Sequence, residues 1–181
     1  MIKIFLFILF SAHAFQVPLR NEKTMSEVWE IIKRESKEQG VDPNLVASII
    51  SQESSGKAHA IRYEQAFYTR YVEGKTIIEL LGHVPSKSIC SLATEKRLRA
   101  FSFGLMQIMG QTAREHGFIS DFLSELLIPE NNIKLGVKIL KSFLDKAKGN
   151  VYQALLFWNG GSNLDYPTQV LALLEKGETI V

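Results

Sequence analysis

DPNLVASIISQESSG, residues 42–56, decides the fold of this 181-residue chain. Asp42 and Pro43 open a helix, because an aspartate N-cap satisfies backbone N–H groups and proline fits the first helical turn. Apolar residues then recur at the three- and four-residue spacing of an α-helix: Leu45, Val46, Ile49 and Ile50. Residues 54–56, Ser-Ser-Gly, end it. The stretch therefore predicts a helix with one apolar face.

Glu53 lies on that apolar face. Ile50, Ile49 and Val46 precede it by three, four and seven residues, and these offsets stack on one side of an α-helix. Burial disfavours the charged form of a carboxyl group and raises its pKa, which is what a general acid needs near neutral pH. The pattern leaves two alternatives open: a glutamate that turns into solvent at the helix end, or one paired with Arg or Lys.

Further helices follow from similar signals. Residues 24–27 match a capping box, and Gly40 supplies a left-handed stop. Three helices are predicted toward the C-terminus: from near Pro129 to about Ala147, from Val151 to Trp158, and from Pro167 to Lys176. Strand-type alternation is weak throughout, and no repeat or linker divides the chain. The sequence therefore predicts a single domain of the α class.

Residues 57–101 give a weaker signal. Four aromatic residues lie close together in an amphipathic stretch, and at such spacing a place in the core is favoured over a sugar-binding platform: Tyr63, Phe67, Tyr68 and Tyr71. A short apolar run at Ile77–Leu81 and a serine-containing loop around Pro85 follow. The sequence does not predict the path of this segment.

The N-terminus has the pattern of a secretory signal peptide. Lys3 gives a short basic region, Ile4–Phe10 is an unbroken apolar run, and residues 11–14 place small residues at the cleavage positions. The alternative is an uncleaved membrane anchor, but the run is far shorter than the roughly 18–20 residues that span a bilayer. We expect cleavage after Ala14, a mature domain over residues 15–181, and a periplasmic or extracellular location.

Charge and composition exclude several classes of function. A net charge of +2 gives no support for nucleic-acid binding, which needs a clustered basic face. Cys90 is the only cysteine, so no intramolecular disulfide can form. His59, His83 and His116 show no metal-ligand spacing, and no acidic cluster suggests calcium. We therefore predict no metal and no cofactor.

Three separated motifs occur in a fixed order: Glu53–Gly56 (ESSG), Ser102–Met109 (SFGLMQIM) and Ala154–Gly161 (ALLFWNGG). Between the last two, Pro129–Ile133 leads into a helix that contains Gly136. Together these motifs resemble the soluble lytic transglycosylase (SLT) domain, whose fold is lysozyme-like and related to goose-type lysozyme. The resemblance covers about residues 41–174, so it implies a lysozyme-like helical fold with an inserted segment before the second motif.

The resemblance implies cleavage of the β-1,4 bond between N-acetylmuramic acid and N-acetylglucosamine in peptidoglycan glycan strands. In that family one glutamate, matched here by Glu53, protonates the leaving oxygen, and the acetamido group of the substrate stabilises the positive sugar. The same carboxylate then takes the proton from muramoyl O6, closing a 1,6-anhydro ring without water. Alternatives are a hydrolytic muramidase on the same bond and, in another class, a non-catalytic peptidoglycan-binding component of a secretion or conjugation apparatus.

The resemblance also assigns five residues to the substrate groove: Ser102, Gln107, Met109, Asn159 and Tyr166. For Ser102, Gln107 and Met109 the alternative is a role in packing. Trp158 stands where the family commonly has tyrosine. An indole N–H can donate a hydrogen bond but the ring nitrogen cannot accept one, so we place Trp158 in the wall of the groove.

The insertion contains Arg62-Tyr63-Glu64, which resembles a branch of the family that includes phage-associated members. Glu64 is the candidate for a second active carboxylate, and hydrolysis would require about 5–9.5 Å between it and Glu53. The favoured alternative is an ion pair between Arg62 and Glu64 that orders the insertion. Small exported members also serve secretion, conjugation or phage machinery, so such machinery is a candidate partner, and we expect a monomer.

Overall fold

A computed structural model describes residues 23–177, so the predicted signal peptide lies outside the described residues. This part of the chain is mainly helical, which confirms the predicted α class. Its helices are α1 (Met25–Gln39), α2 (Pro43–Ser54), α3 (Gln65–Phe67), α4 (Leu92–Leu98), α5 (Gly110–Glu115), α6 (Pro129–Lys146), α7 (Val151–Trp158) and α8 (Tyr166–Lys176). Within residues 23–177, none of these helices combines the length and apolar character that crossing a membrane requires.

The helix ends follow the capping signals in the sequence. Thr24 forms the capping box, since its side chain accepts a hydrogen bond from the Glu27 N–H at 3.3 Å and its own N–H donates to the Glu27 carboxylate at 2.7 Å. Asp42 caps α2 by accepting from the Asn44 N–H at 2.9 Å. Ser55 ends α2 in the left-handed region, with φ 51°. Local capping therefore fixes where α2 begins and ends.

Helix α2 is the centre of the core. It packs against α1 and α8, while α6 packs against α1 and α7. Seven of its twelve residues are buried, and they lie on more than one face: Leu45, Val46, Ala47, Ser48, Ile49, Ile50 and Ser54. Because α2 has neighbours on several sides, its C-terminal end, which carries Glu53, is held in a fixed position.

A small antiparallel sheet follows α2, built from β1 (Ile61–Tyr63), β2 (Phe101–Phe103) and β3 (Ile108–Met109). Its register aligns two rows: Ile61, Phe103 and Ile108 in one, and Arg62, Ser102 and Met109 in the next. Successive residues of a strand point to opposite faces. Phe103 and Ile108 are core residues, so the row of Arg62 lies on the other face. Strands of two or three residues are too short to show alternation in a sequence.

The segment whose path the sequence left open forms its own small core. Val72, Leu80 and Ala100 are its buried members. Three of the four aromatic residues pack against them, namely Tyr63, Phe67 and Tyr68, whereas Tyr71 is exposed. Most of this aromatic cluster is therefore structural.

A buried ion network ties the insertion to the rest of the domain. The Glu95 carboxylate accepts from Arg99 Nε at 3.0 Å and from Arg114 Nε at 2.8 Å, and all three side chains are fully buried. Arg99 also donates to the carbonyl groups of Leu81 and His83, each at 2.7 Å. Removing one member of a buried ion network leaves a charge without a partner. The network therefore fixes the insertion, which includes α4, against α5.

Asn132 on α6 holds the loop that contains the second motif. Its amide nitrogen donates to the carbonyl groups of Phe103 and Leu126, each at 2.9 Å, and its carbonyl oxygen accepts from the Met106 N–H at 2.8 Å. Gly104 has φ 71°, and a Cβ atom there would lie 2.5 Å from the Leu126 carbonyl oxygen. Glycine is required because a side chain would collide with this backbone.

Replacing Asn132 by alanine should strongly destabilise the domain. The change leaves one buried N–H and two buried carbonyl groups without this partner, so we expect a loss of about 3 kcal/mol in the free energy of unfolding. Asn131→Ala is the matched control, since Asn131 makes one bond, to the Glu125 carbonyl, at 3.1 Å. It should lose about 1 kcal/mol or less. Urea unfolding measures both, and equal losses would contradict the clamping role.

Candidate active site

Glu53 is half-buried at the last turn of α2 and is held by two hydrogen-bond donors. The Tyr166 hydroxyl donates to Glu53 Oε1 at 2.7 Å, and Trp158 Nε1 donates to the same oxygen at 3.0 Å. Neither residue donates to Oε2, so Oε2 is the oxygen that can bind another partner. The sequence leaves two alternatives open, a glutamate turned into solvent or one paired with Arg or Lys. The Glu53 side chain is not turned into solvent, and the two groups that donate to its Oε1 are neutral.

The environment raises the pKa of Glu53 above the ordinary glutamate value. The largest cause is burial, which disfavours the charged form, and the hydrogen bonds from Tyr166 and Trp158 act in the opposite direction. Arg62 also lowers the pKa of Glu53, and Glu64 raises it. The result is a carboxyl group that keeps its proton to higher pH than a solvated one, yet has donors ready to stabilise its anion.

Two helix ends supply the donors. Trp158 is the last residue of α7, and its ring meets that of Phe143 edge-on, with 6.5 Å between the centroids. Tyr166 is the first residue of α8 and is 6% exposed. Burial and the neighbouring Glu53 carboxylate raise the pKa of Tyr166, so its hydroxyl keeps the proton that it donates. Trp158 is thus a hydrogen-bond donor to Glu53, and its predicted place in the groove wall stays a prediction.

Asn159 organises the turn between α7 and α8. Its side-chain carbonyl accepts from the Gly161 N–H at 2.8 Å, and its amide nitrogen donates to the Asn163 carbonyl at 2.6 Å. Because this turn joins Trp158 to Tyr166, Asn159 fixes the spacing of the two donors around Glu53. The structure gives it this supporting position, and its predicted role in binding sugar stays a prediction.

Three predicted groove residues lie in or beside the sheet. Ser102 is 4% exposed and donates to Glu64 Oε1 at 3.4 Å. Met109 is half-buried and follows Ser102 in the same row. The Gln107 side chain donates to the carbonyl groups of Gly104 at 2.8 Å and Ala60 at 3.1 Å. These contacts of Gln107 match the packing alternative, because its amide satisfies the loop backbone.

Glu64 forms an ion pair with Arg62, whose Nε lies 2.5 Å from Glu64 Oε1. The Glu64 side chain is 26% exposed, against 69% for Arg62. Since Ser102 donates to the same oxygen, two side chains already occupy one oxygen of Glu64. The ion pair favoured from the sequence is thus present, and the hydrogen bond from Ser102 connects Glu64 to β2.

A cleft of about 960 Å³ lies elsewhere, between the starts of α1 and α6 and the loop after α2. Its lining includes Lys57, His59 and Glu130 but not Glu53. The cleft and the carboxyl group suited to acid catalysis therefore lie in different parts of the domain. The chemistry decides, since Glu53 is a half-buried carboxyl group with a raised pKa and two neutral donors on one oxygen.

Residues 30–166 match the Transglycosylase SLT domain family, and the chain belongs to this family. The match begins within α1 and ends at Tyr166, so it includes every site residue predicted above. No solved structure matches the chain. At the level of the family, membership identifies a lytic transglycosylase-type domain that cleaves peptidoglycan, with a lysozyme-like α fold.

Replacing Tyr166 by phenylalanine should move the pH dependence of cleavage. The hydroxyl favours the ionised form of Glu53, so its loss raises the pKa of Glu53. Activity that needs protonated Glu53 disappears as pH rises through this pKa, and we expect the basic limb to move up by about 1 pH unit. The pH profile of kcat/KM measures the change.

Tyr152→Phe is the matched control, because the Tyr152 hydroxyl donates to the Leu164 carbonyl, at 3.3 Å, and not to Glu53. Its basic limb should stay in place. A limb that is unmoved or lowered in Tyr166→Phe would contradict the role given to this hydroxyl.

Proposed function

We propose that this protein is a lytic transglycosylase that cleaves the β-1,4 bond between N-acetylmuramic acid and N-acetylglucosamine and leaves a 1,6-anhydro end. The observation that carries the proposal is the state of Glu53: half-buried, with its pKa raised by burial, and with Tyr166 and Trp158 both donating to Oε1. One such carboxyl group can act as acid and then as base, and ring closure by O6 needs no second carboxylate as nucleophile or as base for water.

In the first step Glu53 is the acid. Since Tyr166 and Trp158 donate to Oε1, that oxygen is the acceptor of the neutral group and Oε2 carries the proton. Oε2 passes this proton to the leaving O4 of N-acetylglucosamine as the bond from O4 to muramoyl C1 breaks. The acetamido group of the muramoyl sugar stabilises the positive charge at C1, and the two donors stabilise the carboxylate that forms.

In the second step the same carboxylate is the base. It takes the proton from the muramoyl O6 hydroxyl while O6 forms a bond to C1, closing the 1,6-anhydro ring. Glu53 is protonated again, so the residue returns to its starting state. The atoms balance without water, which distinguishes this lyase from a muramidase.

The contacts of Glu64 support a mechanism with one active carboxyl group. Oε1 of Glu64 already accepts from Arg62 and Ser102. An oxygen that already accepts two hydrogen bonds has its lone pairs occupied and is not available to attack a sugar carbon or to take a proton from water. We therefore assign Glu64 to holding Arg62, and not to activating water.

We also propose that the enzyme acts in the periplasm or outside the cell, where its substrate lies. The basic, apolar and small-residue pattern of residues 3–14 supports export.

Mass analysis of released muropeptides tests the proposed reaction. Purified peptidoglycan is digested with the protein from Phe15 onward, with Glu53→Gln and with Glu64→Gln as the matched carboxylate control. We expect anhydro-muramoyl products from the parent, none from Glu53→Gln, and anhydro products at a lower rate from Glu64→Gln.

The products of the parent decide among the alternatives. Reducing ends heavier by one water would contradict the transglycosylase proposal and identify a muramidase, in which case Glu64 becomes the candidate second carboxylate. No release from the parent would favour a peptidoglycan-binding role.

A further inference from the structure

Arg62 shares a row of the sheet with two residues assigned to the substrate groove. Arg62 pairs with Ser102, and Ser102 pairs with Met109. Cross-strand partners project from the same face of a sheet. The neighbouring row contains Phe103 and Ile108, which point into the core, so Arg62 lies on the face where the groove is expected.

The ion pair with Glu64 fixes Arg62 by one edge only. The pair uses Nε of the guanidinium group, and the two terminal nitrogens, Nη1 and Nη2, form the other edge. Because the Arg62 side chain is 69% exposed, this edge is accessible. A guanidinium group can bind a carboxylate through two parallel N–H···O bonds along such an edge.

Arg62 is also close enough to the acid to act on it. Its positive charge lowers the pKa of Glu53, and the negative charge of Glu64 raises it. Both groups therefore lie within electrostatic range of the carboxyl group that cleaves the glycan. A ligand group bound by Arg62 would be positioned near the scissile bond.

We propose that Arg62, oriented by Glu64, binds a carboxylate of the peptide stem carried by the muramoyl sugar at the cleavage site. The inference rests on the proposed function, because it takes peptidoglycan as the ligand. The stem supplies carboxylates that the N-acetylglucosamine sugars lack. Arg62 thereby makes the enzyme prefer strands with charged stems over strands whose stems are neutralised.

Binding to inactive protein tests this inference without requiring cleavage. The background is Glu53→Gln, and the probe is a stem-bearing tetrasaccharide muropeptide, compared with the same molecule after its carboxylates are converted to amides. Adding Arg62→Gln should weaken binding of the charged probe about tenfold, since the charge-assisted hydrogen bonds to its carboxylate are lost. Binding of the amidated probe should not change.

Further variants separate charge recognition from other effects. Arg62→Lys keeps the charge and should retain part of the affinity for the charged probe. Glu64→Gln should lower affinity for that probe by a smaller factor, because Arg62 loses its orientation. Arg70→Gln is the matched control: Arg70 is an exposed arginine of the same insertion that lies 5.2 Å from the Tyr71 ring. It should bind both probes as the background does.

Equal losses on both probes, or no loss on the charged one, would overturn the inference. Failure of the background protein to prefer the charged probe would also overturn it. The chemistry of cleavage is read separately, from product masses. Hydrated products together with selective loss in Arg62→Gln would therefore refute the transglycosylase proposal and leave the stem-binding role intact.

Discussion

Burial of α2 places a carboxyl group where water cannot fully solvate it, and the site depends on this constraint. Burial raises the pKa of Glu53, and the donors Tyr166 and Trp158 limit the rise. The same balance affects stability. Because the folded pKa lies above the unfolded one, the contribution of Glu53 to stability is complete below the unfolded pKa and is lost as pH rises through the folded pKa. Near neutral pH the acid therefore costs stability, a cost common at active sites.

Two buried polar systems hold the rest of the site around this helix. Asn132 ties the loop of the second motif to α6 through hydrogen bonds with Phe103 and Met106, and a third bond holds the Leu126 carbonyl. The network of Glu95, Arg99 and Arg114 anchors the insertion. The sheet joins these two regions, since β2 and β3 flank the loop and β1 brings Arg62 and Glu64 beside Ser102. Within residues 23–177 the hydrogen bonds to Glu53 come from Trp158 and Tyr166 and not from these two systems, which position the elements around it.

The sequence predicts the local parts of this arrangement well. Helical periodicity places Glu53 on the apolar face of α2, and capping residues such as Thr24 and Asp42 mark the helix starts that the structure has. It cannot show that Trp158 and Tyr166 meet Glu53, because they lie 105 and 113 positions away and reach it only through the packing of α7 and α8.

The sequence also does not predict the buried network of Glu95, Arg99 and Arg114, and here the reason is different. Arginine and glutamate are normally surface residues, so a sequence gives no sign that Arg99 and Arg114 share Glu95 in the interior. The sequence favours an ion pair between Arg62 and Glu64 in the Arg62-Tyr63-Glu64 string, and the structure has it. The ion pair lies beside Ser102 because of the register between β1 and β2. Strands of two or three residues are too short for their register to be predicted from the sequence.

The fold keeps the Glu53 carboxyl group protonated to higher pH than an ordinary glutamate. Titration of protein labelled with ¹³C at the glutamate carboxyl carbons tests this most directly, with Glu53→Gln identifying the resonance. We expect its midpoint above the ordinary glutamate pKa of about 4.3. A midpoint at or below that value would show that the donors outweigh burial, and Glu53 could not serve as the acid in the way described.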